Sequence, residues 1–162
     1  MASYKMKPEQ YFLRYACSCA TVLKDLGRIG QEKVDKIQEC ALKNETMSRE
    51  ELESTFTEAF RRIKKIAAEM HKDYWDMEVL KEYFLRGKHN EEIDAGDGFY
   101  AKAPKVFKEL CKVHKAKIME KKGNVLRVKI GDKERIVISD LVPEAKVGDT
   151  VTVHYGFAVE KI

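Results

Sequence analysis

Residues 126–139, with the sequence LRVKIGDKERIVIS, alternate apolar and polar side chains over most of their length. The apolar members before the glycine are Leu126, Val128 and Ile130. Ile136 and Ile138 continue the same two-residue period after the polar turn of residues 131–133. A period of two is typical of β-strands, and a short turn that contains glycine suits a hairpin. This stretch therefore predicts two paired strands.

Strand and turn signals continue on both sides of this hairpin. Residues 121–124, KKGN, supply a second turn, and residues 147–149, VGD, come before a last strand from Thr150 to Tyr155. A segment this short has too few strands for two stacked sheets. We therefore expect a small closed or nearly closed β-barrel of the OB type.

Upstream of the barrel, apolar residues follow the helical period of three to four residues. The stretches that carry this period are Phe12 to Leu26, Val34 to Ala41, Leu52 to Met70 and Val79 to Phe84. Ser48 and Glu51 form a capping-box pattern before the third stretch. Four helices with short connections predict an antiparallel bundle. Together with the barrel, this bundle gives an expected α+β fold.

The domain boundary is predicted near Pro104. Residues 95–98, AGDG, break the helical pattern, and proline suits the first turn of the short helix that follows. The predicted domains are a helical domain, residues 1–103, and a β-barrel domain, residues 104–162. The net charge of the chain is +4, and the basic excess lies on the smaller C-terminal domain.

Composition indicates a soluble globular protein, and we expect it in the cytoplasm. Of the 162 residues, 44% are hydrophobic and 36% are charged, and no apolar run approaches the length that spans a bilayer. The N-terminal residues are too polar for the core of a signal peptide. The four cysteines show none of the compact paired spacings that bind zinc, so we expect reduced thiols.

A longer motif surrounds the predicted last strand. Residues 140–158, DLVPEAKVGDTVTVHYGFA, resemble the LVP, VGD and VH-x-GFA signature of the HypC/HupF family of hydrogenase-maturation chaperones. The resemblance extends upstream to Cys111, which falls where that family has its cysteine, and it does not include the helical domain. It implies a small barrel chaperone that helps deliver an iron fragment to nickel-iron hydrogenase and works against a larger scaffold protein.

The resemblance also implies a functional pair, Cys111 and His154. A thiolate and a neutral imidazole suit iron, but two ligands are an incomplete site. We expect iron to be held transiently, with further ligands from a partner such as a larger maturation scaffold protein or a hydrogenase precursor. Gly156 and Phe157 are predicted to contact the partner with this pair. Two differences from the family pattern are that Cys111 is internal and that Lys115 stands where the family has proline.

Strand alternation predicts where His154 points. Val151, Val153 and Tyr155 share one face of the last strand, so His154 shares the other with Thr150 and Thr152. We therefore expect His154 to be reachable from solvent. The structural alternatives are that His154 bonds a loop carbonyl and that Cys111 packs as a small buried hydrophobe.

Other cysteines and histidines are interpreted structurally. Cys19 lies on the apolar stripe of the first helix and is predicted to pack in the core, whereas Cys17 points away from that stripe. His71 and His89 lie near predicted helix C-termini, where a cationic ring stabilises the helix dipole. We expect no metal site in the helical domain.

Three functions remain open. The chain contains no GxSxG, phosphate-binding glycine loop or HExxH motif, so we predict a non-enzymatic accessory protein. The alternative is an OB-type barrel that binds single-stranded nucleic acid through its basic residues, although Tyr155 and Phe157 are the only aromatic residues after Phe107. The third is a barrel that serves purely as an assembly module.

Overall fold

The structure, a computed structural model, describes residues 5–162, which form two compact units. The first unit extends to Lys88 and the second runs from His89 to Ile162. The domain boundary predicted near residue 104 lies inside the second unit, and the division into residues 1–103 and 104–162 stays a prediction. Helices precede a closed β-barrel, so the predicted α+β class is confirmed.

The first unit is helical in its described part. Its helices are α1 (Pro8–Ala16), α2 (Cys19–Asp25), α3 (Gln31–Leu42), α4 (Arg49–Thr55), α5 (Thr57–Met70) and α6 (Met77–Phe84). Phe12 lies at the centre of the core, with its ring centroid 4.7 Å from that of Phe60 and 5.8 Å from that of Phe84. The apolar stripes of the sequence therefore meet in one aromatic core.

The first predicted helix is interrupted, so its prediction as one continuous element is wrong. The Cys17 thiol and the Ser18 hydroxyl each donate a hydrogen bond to the backbone carbonyl three residues earlier, at 3.4 Å. Such side chains compete with the helical hydrogen bonds, and α1 ends here. The break also changes the helix face: Cys17 is buried, and Cys19 is partly exposed, the reverse of the prediction.

The long stripe from Leu52 to Met70 is likewise divided between α4 and α5. Phe56 separates the two helices with φ −105° and ψ 54°, outside the α-helical region, while its side chain stays in the core. The predicted cap at Ser48 is present, because its hydroxyl accepts a hydrogen bond from the Glu51 amide at 3.1 Å. The Glu51 carboxylate instead forms an ion pair with Lys36 at 2.8 Å, rather than completing the capping box.

Three short helical segments, the first of which starts at the unit boundary, come before the barrel of the second unit. The segments are α7 (Lys88–Asp94), a 3₁₀ helix (Gly98–Lys102) and α8 (Lys105–Cys111). The strands are β1 (Val113–Lys122), β2 (Val125–Ile130), β3 (Lys133–Ile138), β4 (Thr150–His154) and β5 (Phe157–Lys161). They close in the order β1-β2-β3-β5-β4, and β3 and β5 are the parallel pair.

The barrel interior follows from strand alternation. Side chains on every second position point inward and form one cluster, whose strand members are Ala116, Ile118, Leu126, Val128, Val137, Val151, Val153 and Ala158. Gly123 and Gly131, both with positive φ, provide the turns at the two ends of β2. Within residues 5–162, no helix has the length and apolarity that a membrane crossing requires.

Candidate functional site

Cys111 is the last residue of α8 and lies immediately before the barrel. The following residue, Lys112, is extended, with φ −68° and ψ 149°, so the chain changes from helix to strand at this point. The Cys111 side chain is only 2% exposed. The predicted thiol ligand is therefore held at a junction between two elements and is closed to solvent.

Two tyrosine hydroxyls contact the Cys111 sulfur. Tyr100, in the 3₁₀ helix, and Tyr155, in the turn after β4, each donate a hydrogen bond to it. Burial raises the pKa of the Cys111 thiol above its usual value, and this effect exceeds the lowering by the two hydroxyls. Since the thiolate is the form that ligates metals and attacks electrophiles, a protonated buried thiol is poorly suited to either reaction.

His154 is the last residue of β4, and its ring is fully buried. The neighbouring residues Val151 and Val153 belong to the barrel interior, so His154 faces outward as predicted. The prediction that it is reachable is wrong, because α7 packs on this part of the barrel. The His89 ring meets the His154 ring edge to face, with centroids 5.3 Å apart and an interplanar angle of 87°.

Asn90 holds α7 against the start of the barrel. Its side-chain amide donates to the Val113 carbonyl at 2.8 Å and accepts from the Val113 amide at 2.8 Å. Asn90 therefore satisfies both backbone groups of Val113, as a neighbouring strand would. Sequence reasoning missed this helix: it assigned His89 to a helix end, and no apolar stripe marked residues 88–94.

Tyr155 has an unusual backbone conformation. Its φ is 58°, in the left-handed region that residues other than glycine rarely adopt. Its amide donates to the Leu110 carbonyl at 3.2 Å, and its ring packs edge to face on Phe107 with centroids 6.2 Å apart. These contacts fix the turn after β4 against α8, next to Cys111.

The predicted site residues lie in one region but differ in accessibility. The backbones of Cys111 and His154 are close, because Val113 pairs with His154 across β1 and β4. Gly156 is exposed and Phe157 is half-buried, so this turn offers the accessible part of the region. Within residues 5–162, no group of three or more His, Cys, Asp or Glu side chains could hold a metal ion. The closed arrangement does not fit a resident iron ion.

One family pattern extends over the whole barrel, including the loop between β3 and β4 and the turn after β4. Residues 113–162 match the HupF/HypC family. The match includes His154, Gly156 and Phe157; it begins after Cys111 and leaves out the helices before it. HupF/HypC proteins are maturation chaperones, and the match supports an accessory role in hydrogenase maturation in general. A comparison with curated proteins finds no match to this chain.

Much of the HupF/HypC signature has a folding role in this barrel. Leu141 and Val142 of the LVP segment are buried, and Val142 donates its amide to the Ser139 carbonyl at 2.8 Å. Asp149 of the VGD segment accepts from the Lys146 amide at 3.0 Å and pairs with Lys161 at 3.1 Å, and these contacts lower the pKa of its carboxyl group. The part of the signature nearest Cys111 is the HYGF turn, residues 154–157.

Lys115, where the resemblance led us to expect proline, does not disturb the barrel. It lies in β1, paired with Thr152 of β4, and is exposed. Lysine at this position therefore continues the regular strand that leaves Cys111.

Proposed function

We propose that the protein is a non-enzymatic, chaperone-like accessory factor of hydrogenase metallocentre maturation. It acts in the cytoplasm through contacts with a larger maturation scaffold protein or a hydrogenase precursor. The observation that supports this proposal is the HupF/HypC barrel, whose HYGF signature turn packs against α8 beside Cys111.

The accessible end of this site is the proposed partner contact. Gly156 is exposed, and a side chain added there would meet nothing within 4 Å. Phe157 pairs with Ile138 of β3 and is half-buried, so the turn presents an apolar edge on a rigid backbone. Partner contacts on rigid, partly apolar elements need little ordering on binding.

Iron is proposed as cargo rather than as a resident cofactor. Cys111 and His154 are both buried, and the Cys111 thiol is protonated, so the free protein is not a competent iron carrier. We propose that Cys111 and His154 bind iron only in a complex, where the partner uncovers both side chains and supplies the remaining ligands.

To uncover Cys111, such a partner would displace the 3₁₀ helix, whereas His154 is covered by His89 of α7. The 3₁₀ helix contains Tyr100, whose hydroxyl bonds the Cys111 sulfur, yet none of its residues is fully buried. Phe99, in the same segment, is 41% exposed. Segments that bury few apolar groups open at low free-energy cost, so moving this one does not require unfolding the barrel.

Nucleic-acid binding is less well supported. Strands β1 to β3 contain no aromatic residue in the sequence. The Tyr155 ring packs edge to face on Phe107 rather than standing free. Binding to single strands commonly uses aromatic rings on which bases stack. These strands therefore offer few aromatic rings on which bases could stack.

Affinity purification from the native host tests the proposal. We expect the tagged protein to recover hydrogenase-maturation proteins or a hydrogenase precursor, identified by mass spectrometry. A Gly156→Glu bait should lose them, because it places a charged side chain on the proposed contact without steric conflict in the free protein. Gly30→Glu is the matched control, since Gly30 also has open space around it and lies in the helical unit.

Two results would count against the proposal. One is recovery of only unrelated proteins with the unmodified bait. The other is equal recovery of maturation proteins by the Gly156→Glu and unmodified baits, which would remove the HYGF turn from the contact.

A further inference from the structure

A cavity of about 350 Å³ opens between α8 and the ends of the first three barrel strands. Its apolar wall consists of Val106, Leu110 and Ile130, and its basic groups are Lys105, Lys133 and Arg135. The volume lies at the lower end of the range for small-molecule sites, and barrel mouths are common places for them. None of the residues that line the cavity belongs to the HYGF turn.

Arg135 occupies a position that normally belongs to the barrel core. It lies two residues before Val137, so both side chains point to the same face of β3. Its ladder partner on β2 is Val128, a member of the core cluster. Ile130 extends that cluster to the mouth of the barrel. A guanidinium group is therefore directed into the open end of the barrel.

One end of this guanidinium group has no partner. Among the described residues, Arg135 Nη1 is a buried nitrogen that forms no hydrogen bond. Burial lowers the pKa of Arg135, although arginine remains charged in proteins. Buried charged donors are normally paired, and leaving one unpaired destabilises the fold. The orphaned nitrogen is therefore a donor that an acceptor from outside the chain could pair.

The acidic residues around the cavity do not supply that acceptor. Glu134 pairs with Arg127 at 2.8 Å, and Glu109 pairs with Lys112 at 2.9 Å. The charge of Glu109 is close enough to raise the pKa of Arg135, but the Glu109 carboxylate forms no hydrogen bond with Arg135 Nη1. The lining has two acidic side chains against the three basic ones, Lys105, Lys133 and Arg135, so the cavity has a positive excess.

We propose that this cavity binds a small organic acid with a short apolar chain. The carboxylate accepts a hydrogen bond from Arg135 Nη1, and the chain packs on Leu110, Ile130 and Val106. Val106 is 74% exposed, which is high for a valine, and a bound apolar chain would cover it. Guanidinium groups suit carboxylates because both are planar and charged.

Titration with hexanoate tests the charge and the apolar chain separately. In ¹⁵N NMR spectra at low salt, hexanoate is expected to shift amides of residues 105–110 and 130–135. Hexanamide has the same chain without the charge and should bind at least tenfold more weakly. Acetate has the charge without the chain and should also bind more weakly. Equal binding of hexanoate and hexanamide, or no hexanoate binding, would overturn the proposal.

Arg135→Met and Lys129→Met form a matched pair of variants. Each removes one positive charge from a barrel strand, but Lys129 is exposed and does not line the cavity. Arg135→Met should weaken hexanoate binding at least tenfold while keeping or raising Tm, since it removes an unpaired buried group. Lys129→Met should leave binding unchanged. Unchanged binding in Arg135→Met, or an equal loss in both variants, would contradict the assigned site.

Discussion

The hydroxyl of Tyr100 donates a hydrogen bond to the sulfur of Cys111. This contact joins the 3₁₀ helix to the end of α8 and closes the one cysteine that the HupF/HypC resemblance singles out. Burial of this sulfur, which outweighs the effect of the hydrogen bond on the thiol pKa, makes the thiol of the free protein protected rather than reactive. Exposure of Cys111 therefore depends on a segment that the family match does not include.

Thiol labelling tests this protection. At pH 8, iodoacetamide should modify the partly exposed Cys19 first and the buried Cys111 much more slowly, as read by peptide mass spectrometry. Tyr100→Ala should accelerate labelling of Cys111, because it removes the side chain that contacts the sulfur. Tyr100→Phe keeps the ring and removes a contact that lowers the thiol pKa, so it should not accelerate labelling. Rapid labelling of Cys111 in the unmodified protein would contradict this account.

Alkaline pH should destabilise the protein through Cys17. Burial raises the pKa of this thiol from 9.0 to about 12. A raised folded-state pKa means that the unfolded chain loses its proton first. The stability from this group is therefore complete below pH 9 and decreases as the pH rises towards about 12.

A Cys17→Ala variant isolates this contribution. Its Tm should fall less steeply than that of the unmodified protein between pH 8 and pH 10.5, although its Tm at pH 7 is lower because of the lost packing. Other groups titrate in both proteins, so the difference between the two slopes reports Cys17. Parallel slopes would show that the Cys17 thiol has an ordinary pKa.

Replacing Asn90 should destabilise the second unit. Asn90→Ala leaves both the amide and the carbonyl of Val113 without their side-chain partner. Because both are strong backbone groups, the free energy of unfolding should fall by about 1–3 kcal/mol, measured by urea denaturation. Glu91→Ala, at an exposed position of the same helix, should change it by less than about 0.5 kcal/mol. Equal effects of the two variants would mean that Asn90 does not hold α7.

The strands were predictable because their pattern is local. Alternation in residues 126–139 and the turn glycines specify the hairpin, and the outward direction of His154 followed from the same period. The burial of His154 was not predictable from β4 itself. It results from α7, where Ile93 is the only apolar residue between Lys88 and Asp94 and the contacts to the barrel are made by His89 and Asn90.

The helix breaks were missed for a related reason. The apolar spacing of Leu52 to Met70 persists across Phe56, so the stripe gave no sign that the backbone leaves the helical conformation there. The side chains of Cys17 and Ser18 bond to backbone carbonyls of the preceding turn, and α1 ends there. As a result Cys17 is buried and Cys19 is partly exposed, the reverse of what a continuous helix predicts. The place of Arg135 in the cavity lining was also missed, because a single arginine in a strand is indistinguishable in sequence from one that faces solvent.

Iron binding should depend on a partner. Under anaerobic conditions at pH 7, the free protein should bind no stoichiometric Fe(II), because Cys111 is protonated and both proposed ligands are buried. A complex with the recovered partner should bind iron, measured by elemental analysis after desalting, and Cys111→Ala should lose it. Stoichiometric iron in the free protein would contradict the proposed role of the partner.

Hydrogenase activity in the native host tests the accessory role most directly. Deletion of the gene should reduce nickel-iron hydrogenase activity, because the metal centre would not be completed. Expression of the unmodified protein or of Gly30→Glu should restore it, and Gly156→Glu should not, although all three accumulate to the same level. Full hydrogenase activity in the deletion strain, or full rescue by Gly156→Glu, would contradict the account.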